Sequence, residues 1–525
     1  MNNRLILAFF LQSSFSFLVA QNATLDKKRD YQWPFGYYYY QNGNLMDFNT
    51  KPVMIKDFPN RMKEGFNEYN SAICSTSGQL EFSTNGCDVY NKKFQVMKNG
   101  DKINPGVYTE GLFCRNEFSV RIRNGSLILP YQNRYLMLHT TYDVNIQDPN
   151  ARLYVPRLSY SIVDMKKDTG YGEVIVKNKT IIQDTLSAGD IAACRHANGK
   201  DWWVIVPQWT WDTTDSTDNN KYYRLLVTQD TILGPWEQQI GMKPNKRRFN
   251  EQVCFSPDGT KYARLRSRDG LMLFEFDRLT GLFSKPKVVT LKRTGYRGGV
   301  CFSSDSRYLY ALMDSVIYQI DTSVPDPNQA KEVIAVFDGF TLDGLWLSTF
   351  DGAYLGPDCK IYIVPQSNNE YLTVINYPNR KGLASGVEQH GLKVPTKIDW
   401  SVPNYPHFRL GAIGEEHTPC DSTISPYISA VSSPDEVPVS VAIYPNPAQD
   451  HVNLDIFGYV NRFEKGNFEL FDLSGRIVAQ FPIYQGHDQY DFDISGILNG
   501  VYIWRLTFDG TPGGKSGKLV VMTSR

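Results

Sequence analysis

The chain has 525 residues with 55 Lys and Arg against 55 Asp and Glu, so it carries no global field to steer nucleic acid or an anionic membrane. Hydrophobic residues at 42% are too many for a disordered chain and enough for a sizeable core, while 32 Tyr, 29 Phe and 40 Gly favour strands and tight turns. Eight cysteines without a CxxC pair exclude a cystine framework and a CxxC zinc or redox site.

In chain order, Arg4 comes first, ahead of an apolar run from Leu5 to Leu11, and Leu18-Val19-Ala20-Gln21 follows. This order predicts a secretory signal peptide over 1–20, with small Ala20 at the cleavage edge. The run is well short of the ~20 residues of a spanning helix, and no later stretch predicts a transmembrane segment. The mature chain is therefore expected to be soluble and exported, where disulfides are permitted.

The middle of the chain repeats itself. Cys254-Phe255-Ser256-Pro257-Asp258-Gly259-Thr260-Lys261-Tyr262 is echoed by Cys301-Phe302-Ser303-Ser304-Asp305-Ser306-Arg307-Tyr308 and, more loosely, by Tyr354-Leu355-Gly356-Pro357-Asp358-Cys359-Lys360-Ile361-Tyr362. Upstream, Cys194-Arg195-His196-Ala197-Asn198-Gly199 has the same strand-then-turn form. A period of roughly 40 to 60 residues with this content is that of a propeller blade. Within one unit, strands are expected at 251–255, 261–266, 271–277 and 285–291, turned at Pro257-Asp258-Gly259, Arg268-Asp269-Gly270 and Thr280-Gly281. Such a sheet has two apolar faces and must stack on neighbours. Blades are predicted near 65–115, 118–180, 188–242, 250–292, 297–338 and 343–395, and residues 31–58 could pair with strands after 395 to close the ring. Seven blades are favoured, with six possible, in an all-β propeller over 21–417.

The repeat accounts for Cys194, Cys254 and Cys301 as small core residues of the first strands. Cys359 falls at the turn position of Gly259, which predicts more exposure. Pairing of Cys359 with Cys420, and of Cys74 with Cys87, is open.

Residues 418–438, with Pro419, Ser432-Ser433-Pro434 and Pro438, read as a linker. Beyond it, over 439–525, seven short strands are expected at 439–444, 451–457, 467–472, 476–481, 490–494, 500–508 and 517–522, which suits a small immunoglobulin-like β-sandwich.

Two stretches carry resemblances. Tyr444-Pro445-Asn446-Pro447, then His451-Val452-Asn453-Leu454, Phe471-Asp472-Leu473-Ser474-Gly475-Arg476, Leu498-Asn499-Gly500-Val501-Tyr502 and Lys518-Leu519-Val520-Val521 resemble the type A C-terminal sorting domain of the type IX secretion system (Por) of Bacteroidetes. The resemblance marks Pro445, Asn446, Pro447, Gly475, Gly500, Tyr502 and Lys518 as its motif positions. It implies export to the extracellular space or outer cell surface, with the secretion machinery and a sortase-like protease as partners. The earlier residues, among them Ser77-Gly78-Gln79-Leu80-Glu81-Phe82, Arg195-His196-Ala197-Asn198-Gly199 and Ile317-Tyr318-Gln319-Ile320-Asp321, resemble WD40-like or lactonase-like propellers, a fold that hosts many functions.

No GxSxG elbow, HExxH, Walker loop or EF-hand loop occurs, so no catalytic residue and no cofactor is assigned. His196 is either a turn-bracing imidazole or a ligand contact, and Glu415-Glu416-His417 reads as a solvated loop. Asp212, Asp215 and Asp218 could gather oxygen ligands for a cation or form an acidic hairpin tip. Trp209 and Trp211, and the Tyr run at 37–40, are either packing residues or aromatic platforms for a glycan or protein ligand. Two functions stay open: a secreted binding scaffold, and an extracellular hydrolase or lyase acting on a glycan or lactone at the channel mouth.

Overall fold

The computed structural model describes residues 26–522 except 37–42, 59–64, 67, 115–118, 145–152, 210–219, 243–251, 267–268, 293–296, 367, 401, 416–417, 422–423, 425–439, 458–464, 473–474, 485–488 and 509–514. The expected signal peptide, the Tyr run at 37–40, His417, Trp211, Asp212, Asp215 and Asp218 lie outside the described residues. The chain divides into two units, Met1–Pro426 and Tyr427–Arg525.

The first unit is a series of antiparallel sheets in chain order. Gln32–Phe35, Gly43–Asp47 and Met54–Phe58 form a three-stranded sheet, as do Ser71–Cys74, Leu80–Thr84 and Val89–Asn91. Five larger meanders follow, running from Ser126–Tyr131 to Glu173–Leu186, Ala192–Arg195 to Ile232–Gln239, Val253–Phe255 to Leu282–Val289, Val300–Phe302 to Lys331–Val336, and Gly352–Leu355 to Val387–Ile398.

Alternation explains how they stack. In the strand Gly270–Asp277, Met272, Phe274 and Phe276 pack with Trp203 and Tyr222 of the preceding sheet, while Leu271 and Leu273 pack with Val300, Phe302 and Leu309 of the following one. A strand apolar on both sides is what a sheet sandwiched between two others requires. Successive first strands touch one another and line a common central cavity, so the unit is a β-propeller.

The turn repeat has a shared internal brace. Ser256 Oγ donates to Asp258 and accepts from Lys261 N–H; Ser303, Asp305 and Tyr308 N–H repeat the pattern. Gly259 sits at φ +71°, and a Cβ there would come within 2.7 Å of Cys194 Sγ, which is why glycine is needed.

Several expectations are corrected. The fourth strand of that sheet starts at Leu282 rather than 285, because Thr280-Gly281 turns tightly and a bulge between Leu273 and Glu275 absorbs the extra residue. Among the described residues, 31–58 do not pair with strands after 395. Asn44 instead bonds Thr396 through its side chain, and Pro403 and Pro406, lacking N–H donors, cannot extend a ladder. Cys87 is bonded to Cys114, not Cys74, whose buried thiol instead accepts from Gln32 N–H. Cys359 is bonded to Cys420 and is consequently buried, not exposed. Residues at the start of the expected linker are tied to the propeller: besides Cys420, Asp421 accepts from Tyr31 OH, and Ile424 joins a core cluster.

The second unit has sheets of Ser440–Tyr444, His451–Phe457 and Gln489–Asp493, and of Ile477–Tyr484, Lys465–Phe471, Gly500–Phe508 and Lys515–Val521. Val452, Leu454 and Ile456 from one sheet meet Phe468, Leu470, Leu506 and Leu519 from the other. This is a β-sandwich.

Candidate functional site

In the sheets that open with Ser71–Cys74, Ser126–Tyr131, Ala192–Arg195, Val300–Phe302 and Gly352–Leu355 the inner strand comes first, so the residues just ahead of these strands gather at one mouth of the channel. Glu68 precedes Ser71–Cys74, Arg121 and Arg123 precede Ser126–Tyr131, Asp190 precedes Ala192–Arg195, Arg297 precedes Val300–Phe302, and Asp351 precedes Gly352–Leu355. Asp399 and Trp400 follow the last propeller strand.

Arg123 is fully buried, pairs with Asp351 and donates to Gly298 O at 3.1 Å. Gly298 permits this crowding, since a Cβ there would lie 2.2 Å from Leu312 O. Arg264 donates to Asp190 at 3.2 Å and to Ser187 Oγ at 3.1 Å. Arg297 reaches Glu68 at 3.5 Å and lies 4.6 Å over the Trp400 ring, with Arg121 at 5.6 Å.

Glu68 and Asp399 are each 1% exposed. Burial pushes both carboxyls up; beside Asp399 the neighbouring Glu68 adds to the rise, opposed by Arg297 and Arg121. Asp399 is held down slightly by the Asn368 backbone N–H, and among the described residues no acceptor stands within hydrogen-bond distance of the buried Trp400 Nε1. Trp400 is held at φ +45°, a left-handed conformation that costs a bulky residue about 1–3 kcal/mol.

Below this mouth the channel is occupied by the chain itself. Asn404 donates from its side chain to Ser126 O and Ile191 O, and Tyr405 OH donates to Gln32 O. His407 Nε2 bonds Phe255 O at 3.1 Å; burial lowers its pKa to about 4, so it stays neutral. Arg409 clasps Asp30 with two bonds of 2.6 and 2.7 Å and also donates to Lys27 O and Pro419 O. Phe408 packs its ring against Trp202 at 5.5 Å. The cavity left among these residues and the inner strands is about 70 Å³, room for two or so waters and not for a sugar ring.

Those residues singled out from sequence that the structure describes lie elsewhere. Trp209 is buried beneath the Arg266 guanidinium at 4.3 Å. His196 braces its turn, accepting from Asn198 N–H at Nδ1 and bonding Leu279 O through Nε2. Among the described residues no group of three or more His, Cys, Asp or Glu is arranged to hold a metal ion. In the sandwich, Asn446 bonds the last strand, Gly475 turns at φ +86°, and Tyr502 OH donates to Leu498 O at 2.8 Å. Lys518 is exposed. The mouth residues went unseen because each stands alone in sequence; their one signal is a charge shortly ahead of an apolar first strand, repeated from blade to blade.

Residues 442–522 match the family described as the secretion system C-terminal sorting domain. No curated protein matches the chain. Among solved structures, a Bacteroides fragilis protein assigned provisionally as a 6-phosphogluconolactonase is 10% identical, covering 71% of this chain and 99% of its own, with a TM-score of 0.39. A Lactobacillus plantarum protein is 12% identical over 71% and 99%, TM-score 0.39. The β-propeller domain of Cps50 (Swd1) from Myceliophteria thermophila is 10% identical over 76% and 96%, TM-score 0.27. No helix among the described residues is long and apolar enough to cross a membrane. The sandwich is a type IX secretion-system C-terminal sorting domain, and the chain is a β-propeller protein exported by that route to the cell surface or extracellular space.

Proposed function

We propose that the exported propeller is a binding scaffold that receives a glycan or protein ligand on its loop face and is delivered by its sorting domain, which a sortase-like protease then removes. The observation that carries this reading is the threaded channel: Asn404, Tyr405, His407 and Arg409 fill the axis, leaving about 70 Å³. A cavity of that size supports holding a larger ligand at a face.

A second reading is supported by one specific feature. Glu68 and Asp399 are buried carboxyls pushed upward, and a raised carboxyl pKa is what a general acid for a glycan or lactone needs. The two readings separate in one experiment, in which the exported protein is applied to a glycan array and, in parallel, to chromogenic glycosides and lactones. The scaffold reading expects saturable binding without product. Product release that disappears in both Glu68→Gln and Asp399→Asn would replace it with the hydrolase.

A further inference from the structure

The strand Lys515–Val521 stands at the end of its sheet, with Gly500–Phe508 beside it on one side. Its other side is occupied too. Ala448 N–H donates to Val520 O and Met522 N–H to Ala448 O, both at 2.8 Å, and Ala448 and Val521 form a parallel bridge. Asn446 extends this seam with its side chain: Nδ2 donates to Lys518 O and Oδ1 accepts from Val520 N–H, both at 2.9 Å. Pro445 and Pro447 on either side have no N–H to offer, so the carboxamide between them is the group that makes these bonds.

With both backbone sides taken from Lys518 to Met522, a partner cannot recognise this part of the strand by adding one of its own. Its outward side chains are what remain. Leu519 and Val521 are fully buried, whereas Lys518 and Met522 face solvent. On the neighbouring strand, exposed Ile503 stands opposite Lys518, and exposed Val501 opposite Val520.

We propose that Asn446 is a positioning residue for export: it pins the last strand so that Lys518 and Met522, with Val501 and Ile503, form one surface read by the secretion machinery. The sorting-domain match over 442–522 spans both halves of the pin, which commits the surface to that partner.

The test uses the full-length chain in a type IX-competent host, with a chain ending at Ser433 as the unexported reference. Asn446→Ala removes two hydrogen bonds and should lower the extracellular fraction about tenfold or more, with faster amide exchange at Val520 and Met522. Lys518→Glu leaves the pin intact, because Asn446 bonds the carbonyl and not the side chain. It should leave the thermal midpoint of the sandwich unchanged and still lower export. Normal export of Asn446→Ala despite faster exchange overturns the pin, and normal export of Lys518→Glu overturns the surface.

Discussion

In the propeller, guanidinium groups are buried against carboxylates contributed by distant parts of the chain: Arg123 on Asp351, Arg264 on Asp190, Arg409 on Asp30 and Arg195 on Asp26. Between the sheets of the sandwich the core is apolar, with Phe468, Phe481 and Phe492 stacked and Val452, Leu506 and Leu519 around them. Of its described ion pairs, Arg476 with Asp472 lies at the surface, and Arg505 keeps its own guanidinium half exposed while it reaches Glu469. The contrast follows from topology. A two-layer sandwich is closed by non-directional burial of two faces, whereas a ring must bring residues such as Asp30 and Arg409 to one register. A buried pair selects register even where it adds little net stability, because every mispaired arrangement strands a charge.

That comparison can be broken by substitution. The largest effect is expected for Arg409→Ala, which leaves Asp30 buried without its two-bond partner. The propeller should lose about 3–5 kcal/mol in urea unfolding, and a loss under about 1 kcal/mol would mean that the pair does not hold the ring. Leu506→Ala opens a void in the sandwich core and should cost the sorting domain about 3 kcal/mol, read from its own unfolding transition; a near-silent result would show that its core is not the closure.

The finest distinction is in pH dependence. Glu68 and Asp399 hold their protons more tightly folded than unfolded, so their stabilising share is full below the unfolded carboxyl pKa of about 4 and is lost as pH rises through the folded values. Asp493 in the sandwich is opposite: the Ser495 side chain and N–H hold it down, so its share is present above about pH 4 and is lost as pH falls. Asp399→Asn should therefore flatten the decline of the propeller's thermal midpoint as pH rises above about 4. Parallel curves for variant and wild type would remove Asp399 from the account.

Much of the architecture was legible because it is local. The Ser-x-Asp turn, the glycine after it and the two-sided alternation of residues 271–276 act within a few residues of one another, and the strands of the sandwich follow from turn spacing. The mouth was not legible. Asp399, Arg297 and Glu68 are separated by long stretches, and no local pattern distinguishes a lone charge before a strand from a solvated one. Trp209 illustrates the same limit: its place at the head of an insertion left packing and a platform both open, and in the fold its buried ring lies under Arg266.

By itself the sequence determined the repeating sheet, since periodicity and turn chemistry are short-range properties, and its C-terminal motifs carried the resemblance to the export domain. Only the tertiary structure decided that residues 403–407 line the central cavity instead of adding a strand, that Cys87 takes Cys114, and that Asn446 holds the last strand. Each of these depends on groups far apart in the chain meeting at a fixed distance, and that information exists only once the sheets have stacked.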